Sequence, residues 1–345
     1  MRFGRALLLV AAIPLVLTAC ARPPAEPQTS TSGSSASSSA PLPSASATDA
    51  VDLYAGTQAA VAPDGTVVER TLTTPDGRTR HYRLFVPAGI SGDAPLLVAL
   101  HGALGSGVQF ETTTGFDGLA TSNGFLVAYP DGIGSGADGS VERTWNAQGC
   151  CGPARASGVD DVAFLRALVA DVEAAHAVDR SRVFLAGHSN GAMMSLRLIC
   201  ESTDVFAAAG IQSGALVSSP CKPAKPVSLL QIHGTGDNVV PIDGGTGVLS
   251  TRTVYPPARE ASQTIASTDS CATAPSTVDD ATNPGVAVTT WSRCRAGTGV
   301  EFVAVSGAAH PWMHAAPASL PAGTPYPGID SSRAIWAFLA AHPRV

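Results

Sequence analysis

The strongest constraint on the fold is an alternation that begins near residue 95. Short, wholly apolar runs at Leu96–Leu100 and Phe125–Tyr129, followed by strand-like runs at Val183–Ala186, Ala207–Gln212, Ser228–His233, Val286–Trp291 and Val300–Ser306, alternate with stretches of helical periodicity. Runs of that length without polar alternation fit strands buried on both faces of a sheet. A helix is expected between the first two runs. A second follows Asp160, where Val162, Phe164, Leu165, Leu168, Val169 and Val172 fall on one helical face behind a capping carboxylate. Further helices are expected from Asn190 to Cys200 and from Ser331 to Ala341. The pattern predicts an α/β fold, a mostly parallel central sheet with helices on both faces. Upstream, Thr66–Leu72 and Arg80–Val86 flank Pro75-Asp76-Gly77 and read as a hairpin.

With 345 residues, 45% of them apolar and 14% charged, the chain can bury one large core and carry a tail beside it. Net charge is −6 and no run of five basic residues occurs, so nucleic acid is not an expected partner. Arg2 and Arg5 precede an apolar stretch from Ala6 to Leu17, which reads as a signal peptide over residues 1–19. Pro14 interrupts that stretch, and it falls short of the roughly 20 residues a membrane span needs. Leu17-Thr18-Ala19-Cys20 resembles a bacterial lipobox, which implies cleavage before Cys20 and a lipid on its sulfur. Residues 20–50, dominated by Ser, Ala and Pro, are expected to form a disordered tether, leaving 51–345 as the folded domain.

Of seven cysteines, Cys20 apart, six remain in a chain bound for an oxidising compartment. Cys200 with Cys221 and Cys271 with Cys294 would each close a loop of about twenty residues, worth on the order of 3 kcal/mol. Cys150 and Cys151 then remain as a vicinal pair. Spacing alone leaves the connectivity open, and no spacing suited to zinc or another metal is present.

Functional groups in such sheets sit at the carboxyl ends of the strands. Gly187-His188-Ser189-Asn190-Gly191 lies there, directly after one strand and opening a helix. The five residues alone carry little weight in a chain with 35 glycines. Their context is that of the nucleophile elbow of an α/β-hydrolase, with Ser189 as the nucleophile. A serine needs a base, and the base needs a carboxylate to hold its tautomer. The strand ending in His233-Gly234-Thr235-Gly236 delivers Asp237 as that carboxylate; Asp243 and Asp269 do not directly follow a buried strand. His310, after Val300–Ser306 and Gly307-Ala308-Ala309, is the base, ahead of His314 and of His342 in the tail. His101, His188 and His233 are expected to brace loops. Oxyanion donors are expected from the N–H groups of Asn190 and, in His101-Gly102-Ala103-Leu104-Gly105, of Ala103. Asp160 and Asp161 read as a cap and a loop brace.

Taken together these residues resemble the family of LpqC-like lipoprotein esterases, polyhydroxybutyrate depolymerases, and feruloyl and acetylxylan esterases. The likeness runs from about residue 66 to 341. It rests on Leu100-His101-Gly102, Trp145-Asn146 through Cys150-Cys151 to Val159-Asp160-Asp161-Val162, the elbow with Met193-Met194, His233-Gly234-Thr235 with Asp237, and His310 with Trp312. Members mostly carry Gly-Gly-Gly-His-x-Trp-Pro-Gly where this chain has Gly307-Ala308-Ala309-His310-Pro311-Trp312-Met313-His314. The resemblance implies that Trp145 and Trp312 lie near the substrate pocket, although either could be a core anchor.

The expected activity is hydrolysis of carboxylic esters through an acyl-enzyme, without metal or organic cofactor, by a monomer whose partner is its ester substrate. The membrane would be met only through the lipid anchor, on the outer face of a bacterial cell, or not at all if the protein is secreted. The chain closes on the last helix of the catalytic domain, so crystalline polymer is the less expected target. An envelope acyltransferase with the same triad and a non-catalytic binding lipoprotein are the alternatives.

Overall fold

The computed structural model describes residues 61–136, 138–249, 253–281, 283–315 and 323–344. The signal peptide, Cys20, the tether and the first residues of the expected domain lie outside the described residues.

Among the described residues ten strands form one sheet. The predicted hairpin is β1 (Gly65–Thr73) with β2 (Thr79–Pro87), antiparallel in a register that pairs Val68 with Leu84. Next come β3 (Ala94–Leu100), β4 (Leu126–Pro130), β7 (Val178–His188), β8 (Ala208–Gln212), β9 (Ser228–Gly234), β12 (Ser276–Asp279), β13 (Val286–Trp291) and β14 (Val300–Val305). The spatial order is β1-β2-β4-β3-β7-β8-β9-β14-β13-β12. From β4 to β14 neighbouring strands are parallel, and the antiparallel pairs are confined to the two flanks. This is the α/β-hydrolase arrangement. The apolar runs read correctly as two-sided strands, since every residue of β3, β4, β8 and β9 is buried.

Because side chains alternate along a strand, each central strand feeds two cores. Leu96, Val98 and Leu100 pack with Phe164, Leu168, Leu196 and Ile265 on one face. Leu97 and Ala99 pack with Phe116, Phe125, Phe338 and Leu339 on the other. Phe125 stacks on Trp336 with ring centroids 3.6 Å apart, a contact worth about 0.5–1.5 kcal/mol beyond area burial.

The helices covering these faces are α1 (Gly107–Thr114), α2 (Phe116–Asn123), α4 (Asp161–Ala175), α5 (Asn190–Glu201), α6 (Glu260–Thr268) and α7 (Ser331–Ala341). The single helix expected between β3 and β4 is split in two, because Gly115 takes a left-handed conformation with φ +61° that ends α1 and starts α2. Asp160 caps α4 as expected, its side chain accepting from Ala163 N–H.

The elements that were not foreseen are short or polar. They are the pair β5 (Ile133–Ser135) and β6 (Val141–Thr144), the short helix α3 (Gly152–Ala156), the pair β10 (Gly245–Thr246) and β11 (Val254–Tyr255), the edge strand β12 and the helix α6. The cysteines pair as Cys150–Cys151, Cys200–Cys221 and Cys271–Cys294.

Candidate active site

The parallel strands β7, β9 and β14 end on the same edge of the sheet, and each delivers one polar side chain to it. Ser189 follows β7 in a turn so tight that its own backbone has φ +54° and ψ −119°. A Cβ on Gly187 would stand 2.6 Å from Gly191 O, and one on Gly191 would stand 2.2 Å from Leu100 O. Only glycine fits either place. The strained serine conformation, which typically costs about 1–3 kcal/mol, is imposed by packing on both sides and lifts Oγ off the backbone.

His310 Nε2 lies 2.9 Å from Ser189 Oγ, and His310 Nδ1 lies 2.8 Å from Asp237 Oδ2. The other carboxylate oxygen of Asp237 accepts from Val239 N–H and Val240 N–H, both at 2.9 Å. With Asp237 an ionised acceptor, Nδ1 of His310 must carry the proton. That leaves Nε2 free to take the one on Ser189. Burial pushes the Asp237 pKa up, but the His310 hydrogen bond, the charges of His310 and His233, and the Val240 N–H outweigh it and hold the carboxyl below its usual range. The loops carrying Asp237 and His310 are tied together, with Thr235 N–H donating to Val305 O and Gly236 N–H to Ala308 O.

Two of the other histidines expected to act as braces do so in defined tautomers. His188 donates Nε2–H to the His310 carbonyl at 2.9 Å, and burial, aided by nearby His310, depresses its pKa to about 3. His101 accepts Gly132 N–H at Nε2, which puts its proton on Nδ1, 2.7 Å from Gly102 O. Burial lowers its pKa to about 4. His233, fully buried, meets Val240 O through Nε2 at 2.8 Å.

The N–H groups of Ala103 and Asn190 make no hydrogen bond among the described residues, and both residues line the cleft into which Ser189 opens. That cleft encloses about 750 Å³, and its walls are mainly apolar. Phe110, Met193, Val239, Leu249, Tyr255 and Trp312 contribute to them, as do Cys150 and Cys151. Trp312 sits where the resemblance puts it, its indole N–H bonded to Ser332 Oγ at 3.0 Å.

Trp145 does not line the cleft. It is fully buried, because its indole N–H and its backbone are all engaged by neighbouring residues behind the site, as a core anchor would be. His314 is exposed, near Pro327 O, and takes no part in the hydrogen-bonded chain. Asp269 accepts from Val227 N–H and Thr298 Oγ1, a structural role. The pocket residues that sequence reasoning missed, Leu249, Tyr255 and Arg155 among them, lie between β10 and β11, in β11 and in α3, and carry no motif of their own.

Residues 80–280 match the model of the family described as esterase PHB depolymerase. The chain belongs to that family. Among its relatives, feruloyl esterase B of Piromyces equi is 37% identical over 166 residues, 46% of this chain and 29% of that protein. The bifunctional acetylxylan esterase/xylanase of Neocallimastix patriciarum is 26% identical over 234 residues, 68% of this chain and 31% of that one. The chain therefore spans about a third of the length of these relatives. A solved acetyl xylan esterase from Aspergillus awamori has the same fold at 18% identity, with a TM-score of 0.53 over 71% of this chain and 94% of the other.

Proposed function

We propose that this family member is an exported serine hydrolase of carboxylic esters acting through an acyl-enzyme. The observation that carries the reading is the unbroken hydrogen-bonded chain from Ser189 through His310 to Asp237 in a mainly apolar cleft, lined also by Ala103 and Asn190, whose N–H groups make no hydrogen bond among the described residues.

Ser189 Oγ attacks the ester carbonyl while His310 Nε2 takes its proton, and Asp237 stabilises the imidazolium that forms. Negative charge on the carbonyl oxygen is met by the N–H groups of Asn190 and Ala103, the first at the start of α5, where the helix dipole also favours an anion. His310 returns its proton to the leaving alcohol, and the same sequence run with water releases the acid. No step requires a cofactor.

The apolar walls suit a hydrocarbon or aromatic ester portion, in line with the polyhydroxybutyrate, feruloyl and acetylxylan esters named for the family and its relatives. The signal-like residues 1–19 and the lipobox-like Cys20 support export with lipid anchoring, and the three cystines suit an oxidising compartment.

The test is Ser189→Ala assayed with p-nitrophenyl butyrate. Turnover is expected to fall by roughly 10⁵–10⁶-fold with the fold intact. Retained turnover in a folded variant would remove Ser189 as the nucleophile. A panel of short acyl esters, methyl ferulate, acetylated xylan and hydroxybutyrate oligomers ranks the substrates.

A further inference from the structure

Trp145, displaced from the cleft, stands where the two pieces bearing the oxyanion donors meet. We infer that Trp145 is a positioning residue whose indole N–H sets the spacing of the Ala103 and Asn190 N–H groups. It does so by fastening the turn that carries one donor to the helix that carries the other. The inference rests on the ester-hydrolase reading and deepens it.

Trp145 Nε1 donates to the carbonyl of His101 at 2.9 Å, which fixes the His101–Gly102 peptide. The next carbonyl, of Gly102, accepts from His101 Nδ1–H at 2.7 Å and from Gly105 N–H at 3.1 Å, which fixes the Gly102–Ala103 peptide. In a trans peptide the N–H points opposite to the C=O, so Ala103 N–H is turned away from these partners and left unpaired.

On the other side, the Asn190 side chain spends its whole amide on one residue. Oδ1 accepts from Trp145 N–H at 2.6 Å, and Nδ2 donates to Trp145 O at 3.1 Å. A third tie runs from Leu104 N–H to Arg143 O at 2.7 Å. The segment that carries Arg143, Trp145 and Asn146 is itself anchored behind the site. Asn146 N–H donates to Asp161 Oδ2, and the same carboxylate meets Arg80 at 2.7 Å in a fully buried ion pair.

A core anchor would need only the bulk of the indole and any acceptor for its N–H. Here the acceptor is the residue that begins the oxyanion turn, and the backbone of the same tryptophan is held by the residue that supplies the other donor. Both donors are thus referred to one residue, the Ala103 turn through the Trp145 indole N–H and Asn190 through the Trp145 backbone. An oxyanion hole works by geometry set in advance, and a displacement of about 1 Å can cost on the order of 100-fold in rate.

The experiment compares the full chain with Trp145→Phe, which keeps an aromatic ring and removes the N–H. Phosphonate titration counts the competent sites. The readouts are kcat per titrated site, KM for p-nitrophenyl butyrate, and the affinity of a boronic acid that forms a tetrahedral adduct at Ser189. The expected result is kcat lower by roughly 10- to 100-fold, KM within about twofold, and boronate affinity reduced by the same factor as kcat/KM. Unchanged kcat per titrated site, with only a lower Tm, would overturn the inference.

If Trp145→Phe does not fold, replacement of Trp145 by benzothienylalanine, which has the same shape and no N–H, gives the same two outcomes. Ser189→Ala measured in parallel separates the two claims. Turnover retained there sinks the hydrolase reading, whereas a dead Ser189→Ala beside a normal Trp145 variant sinks only the positioning role.

Discussion

Ser189, His310 and Asp237 expose 9%, 5% and 4% of their surface, whereas Leu104, Leu249 and Val254, at or beside the cleft, expose 66%, 57% and 74%. The floor of the cleft is made from the ends of parallel strands, of which β9 is buried throughout and β7 over Val183–Gly187 just before the elbow. Its loops are tied to one another, and its brace histidines are held in single tautomers. The upper wall comes from Leu249 and Thr253, which lie between β10 and β11, from Tyr255 of the two-residue strand β11, and from the five-residue helix α3. The contrast separates two jobs. Reaction chemistry needs fixed distances and is placed where packing over-determines position, whereas substrate choice needs only surface and is left to segments that add little to the core.

The largest test of this contrast is on the floor. In Asp237→Asn, the Val239 and Val240 N–H groups still demand an acceptor, so the amide oxygen faces them and the amide nitrogen faces His310. His310 Nδ1 must then accept, its proton moves to Nε2, and the base is lost. Turnover with p-nitrophenyl butyrate is expected to fall by roughly 10⁴-fold with little change in KM. A drop of less than tenfold would mean that the backbone donors do not enforce the tautomer.

An effect of intermediate size follows from the buried histidines. His101 has a folded-state pKa of about 4, depressed by burial, against about 6.5 in the unfolded chain. The unfolded state therefore binds the extra proton first as pH falls. Stability is full above about pH 6.5 and declines toward pH 4, by on the order of 3 kcal/mol at the end of that range. The depressed carboxyl of Asp237 acts in the same direction at lower pH: its contribution is present above the ordinary carboxylate pKa and lost as pH falls through the folded one. Urea unfolding at pH 7, 5.5 and 4.5 measures the slope. His101→Asn should reduce it between pH 6.5 and 4.5, leaving the part due to His188 and the other buried histidines, and an unchanged slope would show that His101 does not titrate across unfolding.

The division between floor and wall is also the division between what could and could not be read from the residues. The parallel strands announce themselves because burial on both faces demands mainly apolar runs, unbroken in Leu96–Leu100 and Phe125–Tyr129. The elbow does so because a serine between two close-packed neighbours demands glycines. Asp237 and His310 could be placed by following strands to their ends. For Trp145 the resemblance points toward the pocket while the residue alone fits a core anchor equally well, and the structure puts it behind the site. The sequence shows that a large indole is needed there, but the direction it faces depends on the Asn190 amide and the His101 carbonyl, each more than forty residues away along the chain. The wall elements left no periodicity to read. β10 and β11 are too short for alternation to register, and the same holds away from the cleft for the edge strand β12, which is exposed throughout and has no apolar face. Their positions follow from tertiary contacts rather than local pattern.

The smallest effect belongs to the wall. Leu249 lines the cleft yet leaves more than half its side chain to solvent, so Leu249→Ser removes little that the fold relies on. Covering a few tens of Å² of that side chain with substrate would contribute roughly 1 kcal/mol at about 25 cal/mol per Å². KM for p-nitrophenyl octanoate is then expected to rise about threefold to fivefold, while acetate, too short to reach the wall, and kcat for both esters stay as they are. A fall in kcat for acetate would break the comparison, because it would mean that the wall helps hold the reacting atoms in place. An equal rise in KM for both esters would sharpen it differently, by placing the shared nitrophenyl group, and so the alcohol side of the ester, against Leu249.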